Sequence, residues 1–152
     1  MNNKSNKVKV FVSYSWDSDE HKIRVANFVK CLRKNNFEVY YDESLALGER
    51  LQSFMEHAIS NSNYVLIICT PNYKIKADNR IGGVGYENTI ITAELFETRR
   101  EKKYIPVLFD GTWVNSIPIW AKGKKGVDLR GNNFVSEAVS LKKVTNKIKK
   151  KI

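Results

Sequence analysis

Seven consecutive residues, YVLIICT from Tyr64, carry almost no polar side chain. A strand with one face in water alternates apolar and polar residues, so an unbroken run this short reads as a strand covered on both faces. Helices must then lie above and below it, which implies a parallel sheet with helical crossovers. VKVFVSY from Val8 is a second central strand, with Val8, Val10 and Val12 on one face and Phe11 on the other. FEVYY from Phe37, YIPVLFD from Tyr104 and the short GVDLR from Gly126 supply three more, the last at an edge.

Helical spacing fills the gaps between these strands. Val25, Phe28, Val29 and Leu32 recur at i, i+3, i+4 and i+7, with Asp17 or Ser18 as a cap and Asn35–Asn36 as an end. Leu51, Phe54, Met55, Ala58 and Ile59 form a second helix, and Phe134, Ala138, Leu141, Val144 and Ile148 form a terminal one. A third helix carries Glu87 in its first turn, behind the glycines of GGVGY and on a face shared with Ile90, Ile91 and Glu94. The preceding PNYKIKADNRIGG reads as a long polar connection, and GTWVNSIPIWAKGKK as an ordered loop or short helical turn. The sum is an α/β fold, a doubly wound five-stranded parallel sheet in the order 2-1-3-4-5 with helices on both faces.

The 152 residues suit one domain, expected over 8–152 behind a disordered 1–7. MNNKSNK has no apolar segment behind it, and no run approaches the ~18 apolar residues that a membrane span needs, so a cytoplasmic protein is expected. Cys31 and Cys69 read as buried thiols in a reducing compartment, and His21 and His57 stand alone, so no metal site is expected. The net charge of +10 is uneven. Residues 1–114 hold 16 Lys/Arg against 14 Asp/Glu, whereas 115–152 hold 10 against 2, including the tail LKKVTNKIKKKI. Such a tail is a solvated face or a contact for nucleic acid or an anionic surface. It has no interleaved aromatic residues, which argues against binding single strands.

An open sheet of this order binds ligands outside the carboxyl ends of strands one and three. The loops there are Ser13–Glu20 and the long Thr70–Glu87, so Glu87 borders the crevice with Ser13, Tyr14, Trp16, Thr70 and Tyr73. Known uses of the architecture can be tested against these residues. A phospho-receiver needs acids at the end of strand one, an Asp ending strand three and a Lys ending strand four; here stand Ser-Tyr-Ser, Thr70 and Asp110. No glycine follows strand one, so there is no dinucleotide fingerprint, and there is no P-loop.

Four blocks, VFVSYSWDSDEHK, VYYDESLALGERLQSFM, YVLIICTPNYKIKA and GGVGYENTIITAEL, strongly resemble the TIR (Toll/interleukin-1 receptor) domain, nearest its bacterial branch grouped with SEFIR domains. The resemblance covers about residues 8–140, with the blocks in family order. It implies a flavodoxin-like fold and one of two activities. In the first, the chain cleaves NAD⁺ at the nicotinamide–ribose bond as a glycohydrolase or ADP-ribosyl cyclase. That activity is switched on by self-assembly, often in anti-phage defence, with a sensor in the same or another chain. NAD⁺ is then substrate, and no cofactor is implied. In the second, the chain is a non-catalytic module that binds itself or other TIR and SEFIR domains.

The enzymes share a glutamate on the third helix, which matches Glu87. Ser13, Tyr14 and Trp16 match the first loop lining their nucleotide pocket, with Thr70 and Tyr73 at its floor. Asp42, Leu45 and Gly48 match a loop that a neighbouring subunit supplies. The enzymes often carry a tryptophan four residues before the glutamate, where this chain has Gly83; that difference bears on the product rather than on cleavage.

Overall fold

The computed structural model of the chain describes residues 7–41, 49–132, 134, 146 and 150. Asp42, Leu45 and Gly48, most of the expected terminal helix with its Lys-rich tail, and residues 1–6 lie outside the described residues; Phe134, expected at the start of that helix, takes φ +59° and is not helical. Strands β1 (Val8–Ser13), β2 (Phe37–Tyr41), β3 (Tyr64–Cys69), β4 (Tyr104–Leu108) and β5 (Val127–Asp128) form one parallel sheet in the order β2-β1-β3-β4-β5. Between them run α1 (Asp19–Lys34), α2 (Glu49–Asn61), α3 (Pro71–Asp78), α4 (Gly82–Thr98) and the short α5 (Trp113–Ser116). The expected class and strand order are those observed.

Alternation along the strands sorts the core into two layers. Val10, Val12, Leu66 and Ile68 face Val25, Phe28, Val29 and Leu32 of α1. Phe11, Val65, Ile67 and Cys69 face the other way, onto Ala58 and Ile59 of α2, Tyr73 and Ala77 of α3, and Val84 and Ile91 of α4. β3 is therefore buried on both sides, which is why its sequence shows no polar face; each such side chain contributes about 2 kcal/mol by leaving water. Pro106 is tolerated in β4 because pairing with β5 begins only at Val107. The guanidinium of Arg24 ties α1 to the sheet's far end. It donates to the carbonyls of Phe109 (3.0 Å), Leu129 (3.0 Å) and Asn132 (2.6 Å) while lying over the Phe109 ring.

Two local expectations are corrected. The polar connection after β3 is a helix: Thr70 caps α3 by accepting the Tyr73 N–H at 3.1 Å, and Pro71 opens it without a donor to satisfy. Tyr73 and Ala77, four apart, turn inward, whereas Ile75 is 55% exposed. The second correction concerns α4, which starts at Gly82, so Glu87 falls in its second turn rather than its first. The helix dipole acts mainly within the terminal turn, so side-chain partners must hold Glu87 instead. Two of the glycines answer to backbone geometry. Gly82 takes φ +61° as the chain enters the helix, and a Cβ on Gly85 would lie 2.2 Å from the carbonyl carbon of Arg80. Gly85 is where α4 crosses the end of α3.

Candidate active site

Glu87 lies in the i, i+3, i+4, i+7 stripe of α4 that faces the sheet, with Val84, Asn88 and Ile91. That stripe would normally be apolar. Glu87 is nevertheless only 4% exposed, and the Ser13 hydroxyl, at the end of β1, donates to its Oε1 at 3.0 Å. Ser13 also lies 2.7 Å from the Tyr73 hydroxyl, which comes from the first turn of α3. Asn88 Nδ2 donates to Tyr73 Oη at 2.9 Å and to the Val84 carbonyl at 2.9 Å. The Asn88 carbonyl oxygen accepts from the Trp120 indole N–H at 2.8 Å. Burial first and then the Glu87 charge push the Tyr73 hydroxyl far above the ordinary tyrosine range, against the opposing hydrogen bonds with Ser13 and Asn88, and keep it neutral. Below it, burial pushes the Cys69 thiol up to about 12.

A second polar cluster sits beside the first at the carboxyl ends of β1 and β3. The Ser15 hydroxyl donates to Asp17 and lies 3.4 Å from the Thr70 hydroxyl, while Asn72 Nδ2 donates to Asp17 at 2.7 Å. His21, from the first turn of α1, points its Nε2 at Asp17 from 3.8 Å. Neither ring nitrogen makes a hydrogen bond among the described residues, and burial lowers the His21 pKa against the opposing pull of Asp17 and Asp110.

The structure thus gathers Glu87, Ser13 and Tyr73 into one contact network, with Thr70 as the cap that positions Tyr73. Tyr73 is fully buried behind Ser13 rather than at an open surface. Tyr14 is not brought to Glu87. Being one residue past Ser13, it points to the opposite face, where it packs near Tyr41 and His21 in the layer under α1. Trp16 packs partly buried against that same layer, with Lys22 Nζ 4.7 Å from its ring centre. Asn88, Ser15 and Trp120 escaped the sequence reading, and Asp17 entered it only as a candidate helix cap. Asn88 did leave a signal, being a polar residue inside the buried stripe next to Glu87. Glu94, on the same stripe, has a different use: it receives the Tyr104 hydroxyl at 2.7 Å and pairs with Lys103.

A buried carboxylate held by a hydroxyl at the mouth of an α/β crevice suits chemistry in which positive charge develops beside it. The TIR domain family model matches residues 10–142. The chain belongs to the TIR domain family. This TIR domain is similar to the 2' cyclic ADP-D-ribose synthase BtTIR of Bacteroides thetaiotaomicron, 33% identical over 64 residues covering 41% of this chain and 22% of that protein. It is also similar to "Probable 2' cyclic ADP-D-ribose synthase TcpO" of Methanobrevibacter olleyae, 30% identical over 105 residues covering 68% of this chain and 28% of that protein. The chain therefore spans less than a third of the length of either relative.

Among solved structures, a prokaryotic SEFIR domain aligns with a TM-score of 0.68 and 30% identity, covering 96% of this chain and 99% of that one. The TIR domains of the activated Roq1 resistosome align with a TM-score of 0.61 and 16% identity over 93% and 99%, a likeness of fold alone. Among the described residues no helix of this TIR domain is long and apolar enough to cross a membrane.

Proposed function

We propose that this TIR domain cleaves the nicotinamide–ribose bond of NAD⁺, with Glu87 as the carboxylate that faces the reacting ribose. The observation that carries the reading is the burial of Glu87 at the crevice with Ser13 donating to it, where packing alone would have placed a hydrocarbon. The names of the two relatives point to the same bond. Nicotinamide departs with the C1′–N electron pair and becomes neutral, so the leaving group needs no general acid. The barrier lies in the cationic ribose left behind, which a preorganised carboxylate stabilises electrostatically. Water then bonds to C1′ and gives up a proton, yielding ADP-ribose. In the cyclising version a hydroxyl of the same molecule takes the place of water, and no water is consumed.

Ser13 orients Glu87, and Thr70 and Tyr73 form the base of the site, while Trp16 at its rim carries the aromatic surface that Gly83 does not. Asp42, Leu45 and Gly48 complete the site from a neighbouring copy, so activity rises with assembly, in a cytoplasmic role such as defence against phage. A sensor elsewhere in the same or another chain triggers that assembly. The test is to incubate the concentrated chain with NAD⁺ and separate the products by chromatography. Nicotinamide is expected in step with ADP-ribose or a cyclic isomer. Intact NAD⁺ at every protein concentration would reject the enzyme and leave the assembly module.

A further inference from the structure

The hydrogen bonds behind Glu87 run in one direction only, and side-chain chemistry fixes that direction from both ends. At the outer end, the Trp120 indole can only donate and the Val84 carbonyl can only accept. Together they hold the Asn88 amide with its oxygen toward Trp120 and its nitrogen toward Val84 and Tyr73. Tyr73 Oη therefore accepts from the Asn88 N–H and turns its own O–H toward Ser13, 2.7 Å away. Ser13 Oγ, having accepted, donates to Glu87 Oε1. At the inner end a carboxylate can only accept, which requires the same direction.

These bonds link four separate elements: the turn at Ile119–Ala121, α4, α3 and β1. Ser13, Tyr73 and Asn88 are fully buried, so water is in no position to replace a missing partner.

We infer that Tyr73 and Asn88 are positioning residues for Glu87, acting through Ser13 to hold it as an acceptor in a single orientation. A proton on Oε1 that turned toward Ser13 would reverse Ser13 and Tyr73, and the Tyr73 proton would then meet the Asn88 N–H, donor against donor. Asn88 cannot flip to relieve the clash, because Val84 and Trp120 hold it. The relay thus disfavours a proton on Oε1 directed at Ser13 and fixes the rotamer of the carboxyl group. Its consequence for turnover rests on the NAD⁺-cleavage reading; its effect on Glu87 does not.

The experiment uses chain labelled with ¹³C at the glutamate carboxyl, the Glu87 signal being assigned by its absence in Glu87→Gln. In Tyr73→Phe the Glu87 signal is expected to move at neutral pH while those of the other glutamates stay. The kcat for nicotinamide release is expected to fall about tenfold with KM changed less than about twofold, the mark of an interaction serving the transition state. Asn88→Ala, which removes the second link, is expected to move the same signal by less and stands in if Tyr73→Phe does not fold. A Glu87 signal left in place in a folded variant, or an unchanged kcat, overturns the inference. A wild type that releases no nicotinamide rejects the enzymatic reading instead, and the carboxyl signal still decides the relay.

Discussion

A carboxylate taken out of water without donors costs several kcal/mol, so the burial of Glu87 demands partners, and the Ser13 hydroxyl is one of them. Nearby, Gly85 is set by geometry rather than chemistry. Alanine would gain about 1 kcal/mol of helix propensity there, yet its Cβ would press on the Arg80 backbone at 2.2 Å, where nothing can rotate away. Gly85→Ala is therefore expected to destabilise the fold by about 2 kcal/mol or more in urea unfolding. His21 makes stability depend on pH. Its folded pKa lies below 6.5, so below that pH the unfolded chain binds a proton that the folded chain refuses. Its contribution is whole above pH 6.5 and is lost as pH falls toward the lowered value; His21→Gln is expected to flatten that part of the profile of urea midpoint against pH.

The strands and the first two helices were legible because burial on one or both faces writes itself into period two or 3.6. α3 was not, and its residues show why. Tyr73, Ile75 and Ala77 alternate with Asn72, Lys74, Lys76 and Asp78, so an eight-residue helix carries the period of a strand. Only the Thr70–Pro71 pair announced it, and Thr70→Ala is expected to cost about 1 kcal/mol in thermal or urea unfolding through loss of that cap. The start of α4 was misplaced because three glycines suggest a loop, whereas here they permit a close crossing. Trp120 lies in a stretch with no periodicity at all, so its bond to Asn88 was beyond reading. Topology alone directs Glu87, Ser13, Thr70 and Tyr73 to the same crevice, and the structure brings them together there, while Tyr14 is turned away by the same alternation that turns Ser13 inward.

Topology itself decides where the chemistry sits. With β1 and β3 adjacent, and with α1 leaving β1 on one layer while α3 leaves β3 on the other, Ser13 and Tyr73 meet α4 at the carboxyl ends where strand order reverses. The framework explains the place, and the family and its relatives supply the substrate to test there. Wild type and Glu87→Gln should be compared at equal concentration with NAD⁺, after matching melting curves show that both are folded. Glutamine keeps an oxygen for Ser13 but removes the charge, so nicotinamide release is expected to fall at least about a hundredfold. Equal rates of nicotinamide release from the two proteins would contradict the assignment of Glu87.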